Sequence, residues 1–372
     1  MIYSNFKDKQ ISLLGMGTMR LPKNDDGSID ENKTERMIDY AIKNGVNYFD
    51  TAYVYHKGTS ETVIGKYLAK YDRKSFYIAD KFPGFGEKYM DKVEPIFEEQ
   101  LERLSTDYID FYLFHNLCEE NVDAYTDEKY GIMNYLIKQR DNGRIKHLGF
   151  STHGNLDTVK RFLDTYKNEL EFCQIQLNYL DYTYQNADKK LELLAKYGLP
   201  VLVMEPLRGG KLTKPAEEYE KMMKEARPEL SPREWAFAYL QSLPNIKVIL
   251  SGMSDEEQVK ENIKTFENKI GLSDADFGVL HKIVDDMLTK KMLPCTECRY
   301  CTDSCPQSLS IPDILSVYNE QMITGGRFKK TDFSRYGDEM QPSRCLSCKA
   351  CESMCPQNIE ISSVMDILSH NN

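Results

Sequence analysis

The sequence has no long hydrophobic run and no recognisable export signal. Among its 372 residues, Leu199–Met204 is typical of the longest apolar stretches, whereas a bilayer span needs roughly 18–20 such residues. The first ten residues, MIYSNFKDKQ, lack the apolar core of a signal peptide. We therefore expect no membrane partner and a cytoplasmic location.

An excess of positive charge is also lacking. The chain has 48 Lys and Arg against 58 Asp and Glu, a formal net charge of −10. A nucleic-acid backbone or an anionic membrane surface requires clustered positive charge. We therefore expect no nucleic-acid partner. The hydrophobic content of 41% and the length are sufficient for a sizeable core.

Cysteine is scarce over most of the chain and concentrated at its end. Eight of the ten cysteines lie between Cys295 and Cys355, which leaves only Cys118 and Cys173 before them. A disulfide framework needs an oxidising compartment, and nothing in the sequence indicates export. Clustered cysteines in a cytosolic protein are more typical of metal ligands. The composition therefore divides the chain near residue 290.

Before that division, short β-branched and aromatic runs alternate with longer amphipathic stretches. The strand-like runs are Ser12–Thr18, Asn47–Ala52, Phe76–Phe82, Tyr108–His115, Ile145–Ser151, Glu171–Asn178, Pro200–Glu205 and Ile246–Ser251. Eight β–α alternations in about 270 residues are typical of an α/β fold of the (β/α)₈ or TIM-barrel class. A doubly wound sheet usually carries GxGxxG after its first strand, and Leu14–Met19 does not match that pattern.

Polar side chains follow three successive strands of the predicted barrel. Asp50 ends the second strand, with Tyr53 and Tyr55 just beyond it, Lys81 ends the third and His115 ends the fourth. Each residue alone has an ordinary interpretation, such as core packing or a solvated surface. Because barrel enzymes carry their chemistry at the C-terminal ends of the strands, the joint placement favours one shared site.

These residue types together suit proton transfer to an oxygen atom. A tyrosine hydroxyl has an unperturbed pKa of about 10, and a nearby Lys81 ammonium is expected to lower the pKa of Tyr55. Asp50 would keep Lys81 charged, and His115 would orient or polarise a carbonyl oxygen. We therefore expect an oxidoreductase that interconverts a small carbonyl substrate and an alcohol.

The segment FDTAYVY, Phe49–Tyr55, followed by Thr59-Ser60-Glu61, resembles the strand-two signature of the aldo-keto reductases. Lys81 and His115 match the remaining members of that family's catalytic tetrad. Spacing alone does not choose between Tyr53 and Tyr55, whereas the family pattern selects Tyr55 as the acid. The resemblance extends over roughly residues 1–268 and implies a nicotinamide cofactor bound across the barrel rim.

The resemblance also implies the residues that contact this cofactor. At the nicotinamide end they are Gly17, Thr18, Met19, Ser151 and Gln174. At the adenosine end, held by the segment Ser251–Asn262, they are Gly252, Gln258 and Asn262, and further contacts are Met204 and Leu207. Many NADP-dependent members carry basic residues where this chain has Gly252 and Gln258. A 2′-phosphate requires Arg or Lys, so both NADP and NAD remain open.

The cysteine-rich tail contains an internal repeat with a period of 50 residues. The pattern C-x₂-C-x₂-C-x₃-C-P occurs twice, as Cys295, Cys298, Cys301 and Cys305, and as Cys345, Cys348, Cys351 and Cys355. Structural zinc prefers paired CxxC knuckles, whereas this run is typical of bacterial proteins with two [4Fe–4S] clusters, in which the fourth cysteine binds the other cluster. We predict that Cys355 completes the first cluster and Cys305 the second.

The spacer between the two cysteine runs, with a helix-like stretch at Ile311–Met322, favours a helical ferredoxin-like dicluster domain. We predict a barrel over residues 1–270, a helical linker over 271–293 with a cap at Ser273, and the dicluster domain over 294–372. The whole chain resembles the iron–sulfur aldo-keto reductases. Leu207–Leu230 is a long insertion that would contact substrate or form a solvated helix.

Three functions fit these parts. The first is an NAD(P)H-dependent carbonyl reductase whose clusters are structural or redox-sensing. The second is a redox enzyme that exchanges electrons through its clusters with a ferredoxin-like carrier protein. The third is a barrel that senses nucleotides and regulates a partner without turnover. The complete tetrad favours the first.

Overall fold

The computed structural model describes residues 1–84, 86–295, 299–325, 331–355 and 357–370. Its strands are β1 (Tyr3–Phe6), β2 (Lys9–Ser12), β3 (Leu14–Gly17), β4 (Tyr48–Asp50), β5 (Tyr77–Phe82), β6 (Ile109–Leu117), β7 (Ile145–Thr152), β8 (Cys173–Gln176), β9 (Val201–Met204) and β10 (Ile246–Gly252). Strands β3–β10 form a closed barrel in which all pairings are parallel. The predicted (β/α)₈ barrel is confirmed.

α-Helices alternate with these strands, as the amphipathic stretches between the predicted strands indicate. They are Glu31–Lys43, Ser60–Leu68, Glu87–Met90, Val93–Leu104, Val122–Thr126, Ile132–Asp141, Leu156–Tyr166, Asp181–Tyr184, Ala187–Lys196, Pro232–Ser242 and Glu256–Thr265. Side-chain caps explain several starts: Asp30 accepts a hydrogen bond from the Lys33 amide, and Asn155 accepts one from the Thr158 amide.

Barrel closure brings distant parts of the sequence to one rim. Gly17 pairs with Asp50 on one side and with Gly252 on the other. Gly15 is required within β3, because a Cβ there would lie 2.7 Å from the side chains of Leu250 and Val248. The parallel strands place their C-terminal ends at the same end of the barrel.

The antiparallel hairpin β1–β2 precedes the barrel and was not predicted. Its Phe6 side chain is 2% exposed and packs in an edge-to-face arrangement against Phe111 and Phe172, at centroid distances of 5.1 and 6.1 Å. These rings join the core formed by inward-facing barrel residues. The hairpin thus closes one end of that core with a large aromatic side chain.

The chain divides into two compact units. One comprises Met1–Pro206 and Phe237–Gly271, and the other comprises Leu207–Ala236 and Leu272–Asn372. The insertion after β9 therefore groups with the cysteine-rich tail, and its helix Glu217–Ala226 buries Tyr219 and Met223 there. The predicted alternative of a solvated helix is therefore only partly correct, because one face of this helix is buried. The predicted domain boundaries remain a prediction.

The second unit also contains the helices Asp274–Asp286, Tyr300–Asp303, Ile311–Thr324, Ala350–Ser353 and Ile361–Ser369, with a π-helical turn at Met287–Lys291. The predicted cap at Ser273 is confirmed as a capping box with Asp276. No helix in the described ranges is long and apolar enough to cross a membrane.

The repeat seen in the sequence reappears in the backbone. Arg299 and Lys349 both adopt left-handed conformations, with φ of 63° and 60°, and so do Ser308 and Asn358, with φ of 51° and 53°. Each pair is separated by the sequence period. The two cysteine-containing segments therefore have matching local folds.

Candidate active site and cluster cavity

The centre of the rim is a buried ion pair between β4 and β5. Lys81 Nζ donates to Asp50 Oδ1 at 2.7 Å and to the Thr51 carbonyl oxygen at 2.5 Å. Burial alone would lower the pKa of Lys81, but the charges of Asp50 and Tyr55 outweigh it and raise that pKa. Lys81 is therefore a fixed ammonium beneath the site.

His115 faces Tyr55 from the neighbouring strand. The two rings are 5.9 Å apart in an edge-to-face arrangement, and Lys81 Nζ lies 5.1 Å from the Tyr55 ring centroid. The β6–β7 pairing is irregular between Phe114 and Leu117, the segment that contains His115. Such a bulge re-aims a side chain at the end of a strand.

The two candidate tyrosines lie in different surroundings. Tyr53 donates its hydroxyl to Glu99 Oε2 at 2.7 Å, and its ring lies under the Arg103 guanidinium. Tyr55 instead lies with Lys81 and His115. The geometry thus brings together Asp50, Lys81, His115 and Tyr55, and it leaves Tyr53 outside this group.

A short turn after β4 carries Tyr55 to this position. The next two residues, His56 and Lys57, both have positive φ, 49° and 58°. His56 Nε2 donates to the carbonyl oxygen of Thr18 at 3.0 Å, which ties the turn to the end of β3. Sequence reasoning did not identify this role of His56, because it depends on contact between two separate loops.

The expected lowering of the Tyr55 pKa is wrong for the protein without ligands. Burial raises the pKa of Tyr55, and the charge of Lys81 lowers it only in part. Desolvation of the phenolate thus outweighs the ammonium. The pKa of His115 is lowered well below its usual value by burial and then by the charge of Lys81, so its imidazole is neutral.

A second polar network behind Lys81 was not predicted. Glu61 is fully buried, receives hydrogen bonds from Arg103 at 2.7 Å and Gln100 at 3.1 Å, and interacts with Asp80. Gln100 also donates to the Lys81 carbonyl oxygen at 3.0 Å. These contacts fix the backbone that carries Lys81.

The residues predicted at the nicotinamide end lie on adjacent strand ends. Thr18 is buried beside Ser60, with their hydroxyls 2.8 Å apart, and Ser151 pairs across the sheet with Gln174. Gln174 Oε1 is buried and has no hydrogen-bond partner in the described part of the chain. A buried acceptor of this kind fits a carboxamide N–H donor. Met19 is 58% exposed.

At the predicted adenosine end, an unpredicted basic residue lies beside Gly252. A Cβ at Gly252 would be 3.2 Å from the side chain of Arg20. Gln258 is exposed and donates to Asp255, whereas Asn262 is buried and donates to Ser251 Oγ at 3.1 Å. Asn262 Oδ1 has no hydrogen-bond partner among the residues that the structure describes.

Two further predicted contacts flank the end of β9. Met204 is the last residue of β9 and is partly buried. Leu207, three residues later, belongs to the second compact unit and is likewise partly buried.

A cleft lies next to His115, in the loops that follow β5 and β6. It has about 1030 Å³ of space free of protein atoms, and Gly84, Asn116 and Asn121 are among the residues that line it. Cys118 also lines the cleft, but burial and a hydrogen bond with Glu120 raise the pKa of its thiol to about 11. Cys118 is therefore a poor nucleophile at neutral pH.

The first three cysteines of the second run and the last cysteine of the first line one cavity. Its lining includes Cys305, Cys345, Cys348 and Cys351, together with Leu309 and Ile311. Burial raises the pKa of Cys351 to about 11, and the charges of Cys345 and Cys305 contribute to that rise. This is the set predicted to share one cluster.

The donor set of this cavity fits a polynuclear cluster. Across the described ranges, no three His, Cys, Asp or Glu side chains converge on a single metal ion. In a [4Fe–4S] cluster each thiolate binds a different iron, so the sulfurs surround a cavity rather than one point. For the other predicted cluster, Cys295, Cys301 and Cys355 are described, while Cys298 lies outside the described residues.

Comparison with known proteins agrees with this geometry. Residues 13–285 match the Aldo/keto reductase family, and residues 294–360 match the 4Fe-4S dicluster domain. An NADH-specific methylglyoxal reductase of Escherichia coli is 27% identical over 323 residues, covering 75% of this chain and 96% of the relative. An uncharacterized oxidoreductase of Bacillus subtilis, YqkF, is 27% identical over 288 residues, covering 69% and 88%.

Solved structures resemble the barrel. An aldo-keto reductase from Bacillus halodurans in its holo form has a TM-score of 0.62 at 24% identity, covering 76% of this chain and 96% of that one. An aldo/keto reductase from Klebsiella pneumoniae in complex with NADP and acetate has a TM-score of 0.61 at 19% identity, covering 75% and 93%. With its barrel, its rim residues and the family match, the chain is an oxidoreductase that belongs to the aldo/keto reductase family and carries a 4Fe-4S dicluster domain after the barrel.

Proposed function

We propose that this protein reduces a small carbonyl compound to an alcohol, or catalyses the reverse reaction, with NADPH or NADH. The observation that supports this most directly is the buried Lys81–Asp50 pair beneath Tyr55, with the neutral imidazole of His115 facing the same phenol. The relatives named as reductases and the structure solved with NADP agree with this reaction class.

In this proposal the chain's own residues handle the proton and the carbonyl oxygen. A bound nicotinamide supplies a hydride to the carbonyl carbon. Tyr55 donates its hydroxyl proton to the oxygen as negative charge develops there, and Lys81 stabilises the phenolate that remains. His115, being neutral, donates an N–H hydrogen bond to the same oxygen and orients it. Asp50 keeps Lys81 charged and in place.

The test compares two identical substitutions two residues apart. Tyr55→Phe should lower kcat for reduction of methylglyoxal and a panel of small aldehydes by about a hundredfold or more, the usual contribution of a general acid. Tyr53→Phe removes a hydroxyl bonded to Glu99 and should change kcat less than about threefold. Equal effects of the two substitutions would contradict the assignment of Tyr55. Nucleotide binding without turnover by the unmodified protein would instead favour a regulatory barrel.

The proposal places two [4Fe–4S] clusters in the tail. Cys345, Cys348, Cys351 and Cys305 would hold one, and Cys295, Cys298, Cys301 and Cys355 the other. The cavity lined by the first set, which combines residues from both halves of the repeat, supports this assignment.

A second candidate function is electron exchange between the clusters and a carrier protein. Cys348 is exposed, and nearby in sequence Leu346 and Met354 are 62% and 51% exposed. A cluster held there would have an edge close to solvent. The electron count balances, because oxidation of one NADH releases two electrons and a proton, and each of two clusters accepts one electron.

This second candidate is tested by anaerobic photoreduction. NAD⁺ or NADP⁺ is added to the photoreduced protein, and cluster absorbance is followed together with NAD(P)H formation. The reverse reaction starts from oxidised clusters and NADH or NADPH. Exchange in either direction would support a carrier partner. Demonstrated nucleotide binding with no exchange would exclude this path and leave the carbonyl reductase.

A further inference from the structure

The insertion after β9 is held firmly within the compact unit that contains the iron–sulfur tail. Tyr219 donates its hydroxyl to Asp286 Oδ2 at 2.8 Å, and Arg227 Nη1 donates to Asp276 Oδ2 at 3.1 Å. Both acceptors lie on the helix Asp274–Asp286. The insertion is therefore anchored at several points rather than being a free surface loop.

Glu320 is the strongest of these anchors, because its one carboxylate binds two cations of the insertion. Arg208 Nε donates to Glu320 Oε1 at 3.0 Å, and Lys211 Nζ donates to Oε2 at 2.6 Å. Arg208 is only 7% exposed. Removing one partner of such a shielded pair leaves an uncompensated charge and disturbs the segment that carries it.

The helix that carries Glu320 also lines the cluster cavity. It spans Ile311–Thr324, and Ile311 borders the cavity together with Cys305. Glu320 lies nine residues further along, which is about 13.5 Å at 1.5 Å per residue. The Ile323 carbonyl oxygen accepts a hydrogen bond from the Ala216 amide at 3.3 Å. One rigid element therefore connects the cavity with the insertion.

The insertion begins where the barrel strand β9 ends. Leu207 is three residues beyond Met204, and Arg208 follows it directly. We propose that Glu320 is a positioning residue that links the filling of the cluster cavity to nucleotide binding. It would do so by fixing the segment that starts at Leu207, one of the predicted nucleotide contacts. This inference rests on the proposed nucleotide-dependent function.

The physical basis is that a filled cavity fixes one end of the helix. A cluster bonded to Cys305 would hold the chain just before Ile311, whereas an empty cavity leaves that end less constrained. Glu320 would then hold Arg208 and Lys211 in one arrangement only in the loaded protein. A ligand that selects this arrangement binds more tightly when the cluster is present, and the coupling is reciprocal.

The experiment measures nucleotide affinity anaerobically, from the fluorescence of bound NADPH and NADH. Four samples are compared: cluster-loaded protein, chelator-depleted protein, loaded E320Q and depleted E320Q. Depletion of the wild type and the E320Q substitution should each weaken binding by about fivefold or more. Glu225→Gln, at an exposed position of the insertion helix, is the matched control and should leave the affinity unchanged.

The decisive readout is whether cluster depletion and the E320Q substitution weaken nucleotide binding independently of each other. If Glu320 carries the coupling, depletion of E320Q causes no further loss of affinity. A general weakening of the fold would instead make the two losses multiply. Iron content and the cluster EPR spectrum of loaded E320Q establish that the variant retains its clusters.

Each outcome decides the proposal. Wild-type affinity in loaded E320Q, or multiplying losses, would overturn it while leaving the proposed reductase intact. If the wild type binds neither nucleotide, the proposed function fails and this inference fails with it. If E320Q does not retain iron, Lys211→Gln removes one of the two cations from a partly exposed position. It should weaken binding in the same direction, and unchanged affinity would overturn the proposal.

Discussion

Lys81 Nζ and Asp50 Oδ1 are 2.7 Å apart in an ion pair whose side chains are only 1% and 4% exposed. Water is thus largely excluded from both charges, and the attraction between them is correspondingly strong. The Thr51 carbonyl oxygen accepts a further hydrogen bond from the ammonium. Removing either partner would therefore leave the other charge buried without its countercharge.

Asp50→Asn should destabilise the barrel. It leaves the Lys81 ammonium buried without its countercharge, which costs about 3–5 kcal/mol in comparable pairs. Because the pKa of Lys81 is raised, its ammonium stabilises the fold at neutral pH, and this contribution is lost as pH rises through that pKa. Burial raises the pKa of Asp50, which offsets part of this gain. The measurement is urea unfolding followed by circular dichroism at pH 7.

The matched control is Asp164→Asn, which breaks the exposed Lys160–Asp164 pair. That substitution should cost less than about 1 kcal/mol. Similar losses in the two variants would contradict the view that burial makes the Asp50 pair strong.

The pH dependence of reduction should be flat across the neutral range. Burial raises the pKa of Tyr55 above 10, so its hydroxyl stays protonated until strongly alkaline pH. The pKa of His115 is lowered well below 6.5, so the imidazole becomes charged only at acidic pH. We expect kcat/KM for reduction to be constant between about pH 6.5 and 10. A descending limb centred near pH 7 would show that another group controls the proton.

The barrel was predictable because its strands are short continuous apolar runs separated by amphipathic segments. The hairpin β1–β2 was not, because YSNF and KQIS carry too few apolar residues to stand out. Its turn residue Lys7 has a φ of 52° without the glycine that usually signals such a turn. The hairpin is stabilised by the tertiary packing of Phe6, which no local sequence pattern indicates.

The site was predictable where one residue type at a strand end defines the chemistry. Asp50, Lys81 and His115 could be found from the rim rule alone. The Tyr55 pKa could not, because it is a balance between burial and the charge of Lys81. Arg20 was missed as well, since its proximity to Gly252 arises only when β10 pairs with β3 to close the barrel.

Arg20→Gln should change coenzyme preference. The Arg20 side chain lies against Gly252 at the predicted adenosine end and is 44% exposed, although its guanidinium pairs with Glu205 at 3.0 Å. A guanidinium at this end suits a 2′-phosphate, and losing a charged hydrogen bond costs about 1.5–3 kcal/mol. We expect the Kd for NADPH to rise about tenfold and that for NADH to change much less.

Fluorescence titration with both nucleotides measures this difference. Arg144→Gln removes an arginine from an exposed ion pair with Glu98, near the start of β7, and should alter neither Kd. A parallel loss of affinity for NADH and NADPH in the Arg20 variant would place Arg20 at the part shared by both nucleotides rather than at the 2′-phosphate.

Each predicted cluster is held by three cysteines of one run and the last cysteine of the other, so substitutions in different runs should remove the same cluster. Cys305 lies in the first run but lines the cavity with Cys345, Cys348 and Cys351 of the second. Cys305→Ser and Cys351→Ser should therefore lose the same cluster, with iron falling from about eight to about four per chain and the same EPR spectrum remaining. Cys355→Ser should lose the other cluster, although Cys355 lies in the second run.

Cys118→Ser, outside the tail, is the control and should retain all the iron. A simple arrangement, with each run binding its own cluster, predicts the opposite grouping. In that case Cys305→Ser would match Cys295→Ser, and Cys355→Ser would match Cys351→Ser. The EPR spectra of the four tail variants therefore decide between the two arrangements, because the cluster that remains carries the signature of its own surroundings.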